Sequence, residues 1–205
     1  MCWSAEASLN TYLFALFAAT TAYVNGYNWR ILLYALVFST MQLAEWGIWS
    51  NLKDKSGNEA WSKFAYSVIL AEGIVSINVL PSASARTLGF LLYGLFLALT
   101  ELPSFSTKNW QTSVGPNGHL QHKWLSEQPF GFIMLAFLIV PLFLAGEWLL
   151  ATVNLVGMLF AAYNYYNTSE FSSMWCFVAI SFWFVILGQS YGNNMRCLVP
   201  GSRKN

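Results

Sequence analysis

The chain has 205 residues, of which 56% are hydrophobic and 9% charged, with ten Lys and Arg against nine Asp and Glu and a net charge of +1. About a quarter of an ordinary soluble domain is charged, and a single core of this size cannot hide so much apolar surface from water. The long apolar runs therefore call for lipid, and the lack of any basic tract argues against a nucleic-acid partner.

The opening residues, MCWSAEASLN, have no basic stretch and carry Glu6, so the first apolar segment is expected to remain in the protein rather than act as a cleaved signal. A bilayer core about 30 Å thick needs roughly 20 helical residues. Seven segments approach that length: 9–25, 30–50, 63–80, 86–102, 130–145, 147–166 and 172–191. Their connectors are NGYNW, NLKDKSGNEA, PSAS, a long polar loop over 103–129, a tight turn at Gly146, and NTSE. The fifth segment is the shortest and contains Pro141. It and the sixth form either two spans or a re-entrant pair, which leaves six spans as the fallback. Lys53, Lys55, Lys63, Lys108 and Lys123 fall on one side of a seven-span arrangement, and Arg30, Arg86, Arg196, Arg203 and Lys204 on the other. The positive-inside rule is therefore silent on orientation. The sequon at Asn167 lies in a very short loop, and no tandem repeat is legible, although two groups of three spans around a linker span would fit a cryptic one.

Polar side chains inside these segments are the candidates for function. In the second, Ser39, Gln42, Glu45 and Trp49 recur at spacings of three, three and four, which puts them on one helix face. Glu72 sits near the middle of the third, with Ser76 one turn on. A charged acid at mid-bilayer costs about 2.5–3.5 kcal/mol on translocon-type scales, so Glu72 is the most expensive side chain present. Glu147 and Asn154 share a face of the sixth segment, Gln189 lies near the end of the last, and Glu101 ends the fourth. On the functional reading several of these converge on one polar pocket with a titrating glutamate. On the structural reading the amides are interhelical hydrogen-bond glue, and Glu45, Glu101 and Glu147 reach the headgroups.

The long loop holds both histidines, His119 and His122, in GPNGHLQHKW. An H-x-x-H pair on a helix supplies two metal ligands where zinc needs three or four, and only carboxylates such as Glu101 or Glu127 are at hand to complete a set. No metal and no cofactor is expected, and the loop is read as a cap or lid on the bundle. Cys2 and Cys176 fall on one side, each beside a Trp, and either pair or stay as two buried thiols. Cys197, next to Arg196 after the last segment, is in a position where palmitoylation occurs.

Specific residues exclude several seven-span families. The last segment has no lysine for a retinal Schiff base, two histidines cannot replace the three of alkaline-ceramidase-like hydrolases, and no Pro-Gln motif marks a small sugar transporter. The start MCWS, the second-segment MQLAEW, and the pair NGHL and SMWC resemble recurrent signatures of a group of small multi-span membrane proteins of unassigned function found in large DNA viruses and some microbes. That resemblance brings no activity. It implies that Cys2, Trp3, Gln42, Glu45, His119, Trp175 and Cys176 belong to one shared feature.

The expectation is an all-α, polytopic integral membrane bundle of seven transmembrane helices, one domain over 1–205. The leading function is a small transporter or channel in which Glu72 and Glu45, with Gln42, Ser76, Glu147, Asn154 and Gln189, handle a proton, cation or small polar solute. A structural membrane scaffold, of a virion or an organelle, is the alternative. An intramembrane lipid-acting enzyme using His119 and glutamates is the weakest reading, since no nucleophile–base pair can be assembled. Expected partners are the bilayer, the solute or ion, and a second copy of the chain.

Overall fold

A computed structural model describes residues 4–126, 131–165, 168, 170–176 and 178–198. The chain opens with three long helices, α1 (Ala5–Val24), α2 (Trp29–Ser50) and α3 (Lys55–Asn78). Helix α4 (Ala83–Phe96) continues through a π-helical segment, Leu97–Glu101, the short α5 (Leu102–Ser104) and a 3-10 turn, Phe105–Thr107. Ser4, Asn28, Asp54 and Ser82 cap α1 to α4, each side chain accepting from a backbone N–H in the first turn, the role for which short polar side chains are favoured.

The long loop departs from an all-helical reading. It contains an antiparallel hairpin, β1 (Thr112–Val114) and β2 (Leu120–His122), paired in the register Thr112–His122, Ser113–Gln121 and Val114–Leu120. Gly118, at φ +80°, supplies the left-handed turn that residues with a Cβ adopt reluctantly. The short α6 (Lys123–Ser126) follows, then α7 (Gly131–Leu144), α8 (Trp148–Tyr165), α9 (Phe171–Cys176) and α10 (Val178–Leu198).

Each of the seven apolar segments is helical over most of its described length, with Asn25, Val79, Leu80, Ala145 and Glu147 outside the helices. Among the described residues, three helical stretches are long and apolar enough to cross a membrane: Trp29–Ser50, Ala83–Thr107 and Trp148–Tyr165. Helix α7, with 14 residues and Pro141 inside it, is about 21 Å long at 1.5 Å per residue, short of a bilayer core. The Cys2–Cys176 pair, Trp3, the Asn167 sequon, Glu127, and the side chains of Trp175, Arg196 and Cys197 lie outside the described residues.

Helix α2 is central, packing against α1, α3, α9 and α10. One core cluster joins α1, α2, α7, α8 and α10, with the alanines Ala15, Ala18, Ala19 and Ala22 lining α1. Small side chains of this kind let two helix backbones approach closely. A second cluster packs α2 and α3 against the hairpin region through Met41, Ile48, Tyr66, Trp110, Leu120 and Trp124. The outward side of α4 and the π segment shows Leu88, Leu91, Leu92, Leu95 and Leu99, each at least half exposed. Water would not favour such a surface, and lipid would.

Candidate functional site

At the end of the bundle where α2 finishes, the hairpin sits over the face that carries Gln42, Glu45 and Trp49. Glu45 and His122 meet there, both completely buried, with His122 Nε2 3.8 Å from Glu45 Oε1. The other ring nitrogen, Nδ1, lies 3.3 Å from Thr112 Oγ1 across the ladder. Thr112 is itself held: its hydroxyl is 2.8 Å from Ser62 Oγ and accepts from Trp124 Nε1, while its backbone N–H and C=O bond to the Asn58 side chain at 2.9 and 3.0 Å. The histidine is thus oriented by a chain of hydrogen bonds running back to α3.

The facing groups are not satisfied. Both Glu45 oxygens, His122 Nε2, Trp49 Nε1, Ser8 Oγ and Ser173 Oγ are buried with no hydrogen-bond partner among the described residues. Buried polar atoms are paired in the great majority of cases, so a group of orphans in one region marks a place built to receive something. Ser8 stands level with Glu45, because each is 17 residues from the α1–α2 turn (25 − 8 and 45 − 28). Ser173 is on α9, which packs against both α2 and β2. Gln42, one turn from Glu45, is also fully buried.

Two further carboxylates fasten the cap. Glu170, completely buried, accepts from Asn117 N at 3.1 Å, Asn117 Nδ2 at 2.6 Å, Thr168 Oγ1 at 2.8 Å and His119 N at 3.4 Å. Burial pushes its carboxyl up, but these hydrogen bonds outweigh it and hold the group below the ordinary value of 4.5. Gly115 lies so close that a Cβ there would stand 2.3 Å from Glu170 Oε1. Glu101, placed inward by the π-helical segment, accepts from Tyr66 Oη and lies 3.6 Å from Lys108 Nζ, with both charges almost fully buried.

The two histidines do not form a ligand pair. His122 ends β2 and His119 lies in the bend just before it rather than on a shared helix, so His122 meets Glu45 while the His119 ring packs edge-on against Tyr165 at 5.4 Å. No group of three or more His, Cys, Asp or Glu that could hold a metal ion exists among the described residues.

The other sequence candidates lie elsewhere. Asn154 Nδ2 donates to Tyr34 Oη at 2.8 Å, and Tyr34 and Ser76 both donate to the Leu138 carbonyl, at 3.5 and 3.0 Å. This knot ties α8, α2, α3 and α7 together at mid-bundle. It forms beside Pro141, which has no N–H for the preceding turn of α7. Ser39 accepts from Trp183 Nε1 at 2.8 Å, so it too serves packing. Glu72 is buried on α3. The α2–α3 turn puts Glu45 six residues before Asn51 and Glu72 18 residues after Asp54, which sets the two acids about 18 Å apart along the helix axes.

Glu147 and Gln189 come together at the opposite end. They line an open cleft of about 660 Å³ with Gly26, Tyr27, Asn28, Phe184, Gly188 and Gly192 among its walls. Tyr27 Oη donates to Gln189 Oε1. Burial, then the charge of Glu147, holds the Tyr27 phenol above its ordinary value.

Sequence reasoning missed Ser62, Thr112, Asn58, Ser8 and Glu170. The first four are short polar residues in segments that look like ordinary connectors or helix ends. Docking of the hairpin gives Ser62, Thr112 and Asn58 their partners, while Ser8 Oγ is buried with none among the described residues. Glu170 had a signal, as an acid in a four-residue connector between two apolar segments. No protein-family model matches the chain, and no curated protein or solved structure matches it.

Proposed function

We propose that this is a seven-span membrane carrier that binds a proton, a cation or a small polar solute at the hairpin-capped end, with Glu45 and His122 as the binding and protonation pair. One observation carries the reading: a carboxylate and an imidazole, both sealed from water, face each other without hydrogen bonds amid further orphaned polar atoms. Ionisable groups inside membrane segments characteristically mark ion and solute pathways, and histidine changes charge near neutral pH. Glu72, deeper in the bundle, serves as a second station. A gated carrier fits better than an open channel, because the Tyr34–Asn154–Ser76 knot and the packed rings of Phe38, Phe182 and Trp183 fill the centre.

The scaffold reading draws support from that same knot, whose members act as interhelical glue. The enzyme reading loses ground, since the Thr112 hydroxyl beside His122 already has three partners and is not poised as a nucleophile.

The test is flux across proteoliposomes under a pH gradient, comparing wild type with Glu45→Gln, His122→Gln and Glu72→Gln. Transport that is lost in the first two variants, while each still folds and unfolds cooperatively, upholds the reading. A wild type that moves neither protons nor common cations nor small polar solutes overturns it in favour of the scaffold.

A further inference from the structure

The cleft at the far end belongs to none of this machinery. Asn28, on its wall, and Glu45 are 17 residues apart on the two ends of α2, about 25 Å, with the mid-bundle knot between them. We infer that this cleft is a lipid-headgroup site that takes the ammonium group of a zwitterionic phospholipid such as a phosphatidylethanolamine.

Four observations converge on it. Glu147 is half-buried on the wall, with no hydrogen bond or ion pair to its carboxylate among the described residues. It stands just before the first turn of α8, whose positive dipole end favours a charged carboxylate. Tyr27 and Phe184 supply aromatic walls, and an ammonium between an aromatic face and a carboxylate is attracted by both. The cleft floor is bare, because Gly188 and Gly192 on α10 have open space where a side chain would stand. Around the mouth, Tyr23, Trp29, Trp148 and Tyr191 are each more than half exposed, the arrangement of rings that settles at the headgroup level of a bilayer.

The exposed Tyr23, Trp29, Trp148 and Tyr191 select the lipid over a free amine as the source, since such rings settle at the headgroup level. The test uses the full-length protein in mild detergent, titrated with phosphatidylethanolamine or phosphatidylglycerol and read by native mass spectrometry. Wild type is expected to retain the ethanolamine lipid in preference. Glu147→Gln is expected to weaken that retention about tenfold, the scale of one lost contact to a charged group. Gly188→Leu, which fills open space, is expected to abolish it while leaving thermal unfolding unchanged. Equal retention of the two lipids by wild type, or a preference that survives both variants, overturns the site. Saturable binding of ethanolamine alone, without lipid preference, overturns the lipid assignment. None of these outcomes depends on whether the hairpin end transports anything.

Discussion

At the hairpin end, Glu45, Glu101 and Glu170 are each 5% exposed or less; Glu101 and Glu170 are hydrogen-bonded to other segments, while Glu45 faces His122 at 3.8 Å with no hydrogen bond of its own. At the opposite end Glu147 lines an open cleft beside glycines with empty space above them. The difference is one of desolvation. A carboxylate that is taken out of water must be compensated locally, and its partners then become structurally coupled to it. A carboxylate half-buried on the wall of an open cleft is left without such partners among the described residues. The same residue type therefore fastens the cap at Glu101 and Glu170 and lines an open cleft at Glu147.

Substitutions can break this contrast. The largest effect is expected for His122→Ala, which leaves the buried Glu45 carboxyl without its facing partner and should cost about 3–5 kcal/mol. The double variant Glu45→Leu with His122→Leu should cost clearly less than the two single losses combined, as read by denaturant unfolding in mild detergent. If the double loss is additive, the two groups are not a coupled pair.

Glu170→Ala comes next, at about 2–3 kcal/mol, since it removes the acceptor of a set of charge-assisted bonds and leaves Asn117 and the His119 N–H exposed to solvent or bare. Proteolysis within 112–122 should quicken in parallel. Because the folded value of Glu170 lies below 4.5, its contribution is complete above that pH and is lost as the pH falls through the folded value. Wild type should therefore loosen at the hairpin in acid, and Glu170→Ala should lose that pH dependence.

Tyr34→Phe, which cuts the mid-bundle knot, should cost about 1 kcal/mol, the usual size of an interhelical hydrogen bond in a membrane bundle. Glu147→Gln should change stability by less than about 0.5 kcal/mol, as expected away from buried networks, and alter only lipid retention. A large destabilisation by Glu147→Gln would erase the distinction between the two ends.

The helices themselves were legible in the chain. Apolar runs bounded by NGYNW, PSAS and NTSE outline them, because length and hydropathy are local properties. The face shared by Gln42, Glu45 and Trp49 was legible for the same reason, as it follows from helical periodicity alone. The grouping of the polar candidates was not. Glu72 and Glu45 read as companions, yet antiparallel packing separates them along the axis, while Glu147 and Gln189, 42 residues apart in sequence (189 − 147), meet across one cleft.

Composition and periodicity thus determined by themselves that this is an apolar helical bundle with a few costly acids inside its segments, since both are written residue by residue. Only the tertiary structure decided which acid meets which partner. The Glu45–His122 pair exists because a hairpin hidden in a polar loop folds over the end of α2, with Asn58 and Glu170 anchoring it from two other segments. Contacts of that kind depend on strand register and on the level of each helix relative to its turn, and both are set by the packing of the whole chain.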